Sequence, residues 1–150
     1  MRFIGASNYD HGTQPKIGVL LTNLGTPAAP TAKALRPYLK QFLWDPRVVE
    51  VPRLLWWMIL HAFILTTRPK KSAEAYTEVW TERGSPLLYH LEDQVAGVTQ
   101  RLASQWGDAV LVRGAMRYGQ PSIASQVNAL LGEGVQQLVV LPLYPQFGGP

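Results

Sequence analysis

The stretch Ile17-Gly18-Val19-Leu20-Leu21-Thr22-Asn23 closes on Gly25-Thr26-Pro27. A continuous apolar run ended by turn residues is the pattern of a strand buried on both faces, which a helix-covered parallel sheet provides. Two similar runs lie downstream, at Ala109–Met116 (AVLVRGAM) and Gln137–Leu143 (QLVVLPL). Between them the period changes from strand to helix. Thr31 to Leu43 carries Ala34, Leu35, Tyr38, Leu39 and Phe42 at amphipathic spacing, with Thr31 as its cap and Pro37 as an interior defect. Pro52 opens a Trp-rich segment at a helix-compatible first position. A helix is expected to follow Pro69, over Ser72 to Trp80, with Glu74, Glu78 and Glu82 in a row on one face. Gly84-Ser85-Pro86 ends it, Leu87 to Gln105 forms the next helix, and Pro121 to Leu131 the last. Strands alternating with helices of this length predict an α/β fold, a three-layer doubly wound parallel sheet. In such sheets the ligand crevice lies beyond the carboxyl ends of the strands.

Composition narrows the function. The chain has 150 residues, 47% apolar and 16% charged, which suits one folded domain rather than a disordered chain. It has no cysteine, so disulfides, thiolate metal sites and cysteine-ligated iron–sulfur clusters are excluded. A net charge of +4 without a long basic run gives no reason to expect nucleic acid. Residues 1–15 are polar and read as a flexible tail rather than a secretory signal. Leu54 to Leu65 (LLWWMILHAFIL) falls short of the roughly 20 apolar residues that a membrane span needs. A cytoplasmic location is the expectation.

Neither G-x-G-x-x-G nor G-x-x-x-x-G-K-[ST] occurs, so both common nucleotide fingerprints are absent. His11, His61 and His90 share no metal-ligand spacing, and no carboxylate pair stands out for acid–base work. Arg68, Lys70 and Lys71 are more informative. At the start of a helix each cation would be disfavoured by roughly 0.3–1 kcal/mol, which a bound anion would offset. Trp56, Trp57, Met58 and Phe63 beside them suit ordinary core or a flat aromatic ligand with carboxylate tails.

Six collinear segments together resemble the ferrochelatases, which insert ferrous iron into protoporphyrin IX to form protohaem. They are Gly18-Val19-Leu20-Leu21-Thr22-Asn23-Leu24-Gly25-Thr26-Pro27, Phe42-Leu43-Trp44-Asp45-Pro46-Arg47-Val48, Arg68-Pro69-Lys70-Lys71-Ser72-Ala73-Glu74-Ala75-Tyr76, Gly84-Ser85-Pro86-Leu87, Ala115-Met116-Arg117-Tyr118-Gly119 and Leu141-Pro142-Leu143-Tyr144-Pro145-Gln146. The likeness is to the bacterial, cluster-free branch, and it implies one lobe of a two-lobe chelatase fold, occupying residues 16–150.

The resemblance also implies roles. Leu24 matches the strand–loop against one porphyrin face, and residues 52–67 match the apolar lip over the site, which gives a peripheral membrane contact. Arg68 resembles the lip arginine that meets the porphyrin propionates, and Lys71 the lysine near it. Tyr76 and Ser85 match two further porphyrin-binding positions, while Arg117 and Tyr144 match polar residues lining the pocket. Ferrous iron is then a substrate, and no permanent cofactor is implied. The base that removes the pyrrole protons belongs to the family's carboxyl-terminal half, so no catalytic or metal-binding residue is assigned in this chain. The Gly148-Gly149-Pro150 ending departs from the family pattern. The expectation is an amino-terminal half that by itself binds protoporphyrin weakly at most and does not metallate it. A non-catalytic tetrapyrrole carrier is the alternative, and a half-size chelatase built across a homodimer is a third reading.

Overall fold

The computed structural model describes residues 15–144, so the expected tail at 1–15 and the Pro145-Gln146 end of the last motif lie almost wholly outside the described residues. Three parallel strands form one sheet in the order β2-β1-β3: β1 is Lys16–Thr26, β2 is Val110–Gly119 and β3 is Val135–Pro142. The chain leaves β1 to one side and returns to the other, which makes the sheet doubly wound with its switch point at β1.

Alternation along β1 creates two cores. Leu20 joins Ala115, Leu130 and Val135 beneath α5 (Ile123–Gly132). Leu21 joins Met116 and Leu91 beneath α4 (Pro86–Trp106). Each fully buried Leu of this kind contributes about 1.5–3 kcal/mol. Burial on both faces therefore holds for β1. It does not hold for β3, where Leu138, Val139, Val140 and Leu141 are each between 42% and 53% exposed. Successive residues of a strand point to opposite sides, so among the described residues both faces of β3 are open.

A third core closes the carboxyl end of the sheet. There α1 (Ala32–Trp44) packs Leu35, Tyr38, Leu39 and Leu43 with Leu60, Leu65 and Tyr118. Thr31 caps α1 as expected, its hydroxyl accepting from the Ala34 N–H at 3.3 Å. Pro37 is tolerated inside the helix because it lies on the exposed side, where the carbonyl it leaves unpaired meets water.

The lip segment corrects one expectation. The helix does not begin after Pro69. Helical backbone runs from α2 (Arg53–Ile59) through a π-helical turn at Leu60–Ile64 into α3 (Leu65–Val79), with Pro69 buried inside α3. The wide turn lies just ahead of the proline, where the normal hydrogen-bond ladder is interrupted. Threonine hydroxyls add bonds along this turn: Thr66 donates to the Ala62 and Phe63 carbonyls at 3.1 and 2.7 Å, and Thr67 to Phe63 at 2.9 Å. Arg68, Lys70 and Lys71 therefore stand mid-helix, and the positive helix-end argument for an anion there no longer applies. The acidic row also shortens, since Glu74 and Glu78 lie on α3 while Glu82 lies in the turn beyond it. Among the described residues no helix is long and apolar enough to cross a membrane.

Candidate functional site

The carboxyl edge of β1 and β2 is where side chains converge. β1 leaves the sheet through Gly25, with φ +133°, and the Gly25 carbonyl accepts the Tyr38 hydroxyl at 3.2 Å. Thr26 and Ser85 are both buried, and their hydroxyl oxygens lie 2.7 Å apart. That bond ties the end of β1 to the N-cap of α4. On the β2 side, the Gly119 N–H donates to Gln41 Oε1 at 2.9 Å, so α1 clamps both strand ends. A cleft of about 240 Å³ opens here between Thr26, Pro27, Ala34, Tyr38 and Gly119.

Strand register brings together two of the residues picked from the sequence. Asn23 pairs with Met116 and Gly25 with Tyr118, which sets Leu24 beside Arg117. Thr22 pairs with Pro142, and the Leu143 N–H still donates to the Thr22 carbonyl at 2.8 Å. β3 ends at Pro142, and Tyr144 lies two residues beyond it, half-buried in a bend past the last paired position. Parallel partners present side chains to the same face, so Arg117 and Leu24 form a two-residue row at the switch point.

Arg117 is tethered within this row. Its Nη2 lies 2.5 Å from Oδ2 of Asp45, the residue that ends α1, and its guanidinium carbon sits 5.1 Å from the Tyr118 ring centre. Asp45 is buried, and it also accepts from the Arg47 N–H at 2.9 Å and the Tyr118 hydroxyl at 3.0 Å. These partners act in opposite senses on the two acids. Above all the Arg47 N–H, and then the Tyr118 hydroxyl and Arg117, hold the Asp45 carboxyl below the usual carboxylate range, against the effect of burial. Burial, with help from the bond to Asp45, pushes the Tyr118 phenol up to about 12.

The pH consequences follow from those directions. A carboxylate whose folded pKa is depressed stabilises the fold above its unfolded value, near 3.8, and that stability is lost as pH falls through the folded value. A phenol whose folded pKa is raised stabilises the fold below its ordinary value of 10, and the effect is lost as pH rises from there toward 12. Urea melts across pH should therefore show losses below about pH 4 and above about pH 10. Tyr118→Phe should flatten the alkaline limb, and an unchanged limb would refute the assignment.

Tyr76 of α3 is half-buried. It meets Tyr38 edge-on with ring centres 6.5 Å apart and Trp80 at 6.3 Å, so it docks α3 onto α1. Arg68 and Lys71 are exposed on α3, and neither belongs to an ion pair among the described residues. At roughly 100° per residue, Arg68 lies about 60° and Lys71 about 120° to the same side of buried Leu65. Both thus project from one flank, with Lys70 on the other. Ahead of them, Leu54, Trp57, Met58 and Phe63 are at least half exposed, and an apolar hollow opens along this turn. His61 turns Nδ1 to the Trp57 carbonyl at 3.0 Å. Asp45 figures in the sequence only as part of a motif, with no role assigned to it. Asp45-Pro46 after an apolar helix marks a helix end, but nothing local marks its pairing with a residue 72 positions away.

The chain is a doubly wound α/β lobe, a class of fold in which ligands are bound beyond the carboxyl ends of the strands. The family model described as ferrochelatase matches residues 16–149. The chain belongs to the ferrochelatase family. It is 58% identical over 147 residues to a ferrochelatase of Idiomarina loihiensis, covering 98% of this chain and 40% of that protein. Identity to a ferrochelatase of Teredinibacter turnerae is 62% over 142 residues, covering 95% and 39%. For Alcanivorax borkumensis the figures are 59% over 149 residues, covering 99% and 44%. The chain thus spans about two fifths of the length of these curated relatives.

Proposed function

We propose that a full-length protein carrying this lobe inserts ferrous iron into protoporphyrin IX, and that this lobe supplies residues that hold the porphyrin. Family membership over residues 16–149 is the observation that carries the reading. Arg68 and Lys71 pair with the propionates. Leu24, Arg117 and Tyr144 line the macrocycle's bed, and Tyr76 and Ser85 set the walls by docking α3 and α4. Ferrous iron is the substrate, no permanent cofactor is required, and the base that takes the pyrrole protons lies in a part of the protein other than this lobe. Distortion of the macrocycle draws on remote binding energy, here the propionate contacts and the apolar lip. The exposed Leu54, Trp57, Met58 and Phe63 support a lip that rests on a lipid surface.

The geometry suits this chemistry. Arg68 and Lys71 are cations that the lobe leaves unpaired among its described residues, on the flank next to an apolar surface. An amphiphilic ring with two carboxylate tails is complementary to that combination.

Titration of the chain with protoporphyrin IX, read by porphyrin fluorescence, should saturate. Arg68→Ala should weaken binding about tenfold, the scale of one charge-assisted contact worth about 1.4 kcal/mol. Binding that never saturates, or that Arg68→Ala leaves unchanged, overturns the assignment. In the full-length protein, ferrous iron added without oxygen should consume the free-porphyrin absorbance, and failure to do so would refute the activity.

A further inference from the structure

We propose that Asp45 is the positioning residue of this site: it fixes the Arg117 guanidinium beside Leu24, and so sets substrate affinity without touching substrate. The proposal rests on the porphyrin-holding reading above.

The arrangement joins the end of α1 and the end of β2 at one carboxylate. Oδ1 accepts the Arg47 N–H at 2.9 Å, while Oδ2 accepts Arg117 Nη2 at 2.5 Å and the Tyr118 hydroxyl at 3.0 Å. The Asp45 side chain is 7% exposed and that of Arg117 is 32% exposed. One end of the ion pair is therefore locked in the core and the other opens to the strand ends. A purely structural pair has no need of an open end. An untethered arginine carries about 2 kcal/mol of rotamer entropy, which it would lose on gripping a ligand. A guanidinium already held by a buried carboxylate loses less, and its remaining N–H donors keep one direction. Asp45 also ends α1, so the position of that helix and the aim of Arg117 are set by one group.

The test has two readouts. In nitrogen-15 spectra of the ligand-free chain, the Arg117 guanidinium should give separate, slowly exchanging Nη signals that collapse in Asp45→Asn. In protoporphyrin IX titrations, Asp45→Asn and Arg117→Gln should each weaken binding about tenfold, and the double variant should bind no worse than Arg117→Gln alone. Losses that multiply would make Asp45 a structural residue only and overturn the proposal, as would Asp45→Asn binding like the parent. Asp45→Glu covers poor folding of Asp45→Asn, since it keeps the charge and moves the carboxylate by one methylene. It should weaken binding with a melting temperature near the parent's, and unchanged affinity would count against positioning. An Arg117 signal that is mobile in the parent sinks the tether even if porphyrin binds. A tethered Arg117 in a chain that binds no porphyrin sinks the functional reading instead.

Discussion

Gly25→Ala is expected to abolish the folded lobe, read as loss of its cooperative thermal transition. Gly25 has φ +133°, a region that side chains with a Cβ seldom enter. A Cβ built there would lie 2.0 Å from the Tyr118 carbonyl oxygen, 2.8 Å from its carbon and 3.0 Å from its nitrogen. All three are backbone atoms of the paired strand, so no rotamer change relieves the clash. Either β1 parts from β2 at the site or the turn into α1 is rebuilt. Strain of this kind belongs to the rare class that costs more than about 4 kcal/mol, against a total stability of about 5–15. Gly97→Ala provides a control of opposite sign. It sits within α4 with nothing within 4 Å of a built Cβ, so a helix-favouring alanine should stabilise by about 0.8–1 kcal/mol. A Gly25→Ala protein melting within a few degrees of the parent would show that the approach of the two strands is soft.

Leu60→Ala is the second large effect. Leu60 is fully buried in the core that joins α1, α3 and Tyr118, although its neighbours Leu54, Leu55, Trp57, Met58 and Phe63 are largely exposed. It and the Trp56 Nε1 bond to the Leu43 carbonyl at 2.8 Å pin the lip to the lobe. Truncating a buried leucine costs about 2–5 kcal/mol, depending on how far the site collapses. In a chain of this size that is a fall of the order of 10 °C in melting temperature. Hydrogen exchange should rise along Arg53–Ile64 ahead of the sheet, because the lip has few other buried contacts. A uniform rise across the sheet would mean that the lip and the sheet unfold together.

The strands and most helices were legible because their signals are local. Ile17 to Asn23 could be read as a buried strand without knowing its partners, and Thr31 as a cap from its place before an apolar period. The lip was misread because Pro69 is a strong local stop signal. Burial of Leu65 and Pro69, with Leu65 in the core shared with α1, carried the helix through it. That reversal removed the positive helix end once expected beside Arg68 and Lys71, leaving two exposed cations on one flank as the basis for anion binding.

The sequence by itself determined the α/β class, the order of the elements and the family, because periodicity and collinear motifs survive without coordinates. Strand order, by contrast, is not carried by local periodicity, and only the fold could set β1 between β2 and β3. Only the register placed Arg117 beside Leu24. The Asp45 tether, the Thr26–Ser85 bond and the close approach at Gly25 join residues 72, 59 and 93 positions apart. Contacts at such separations leave no periodic trace, since they depend on where packed layers bring distant chain segments together.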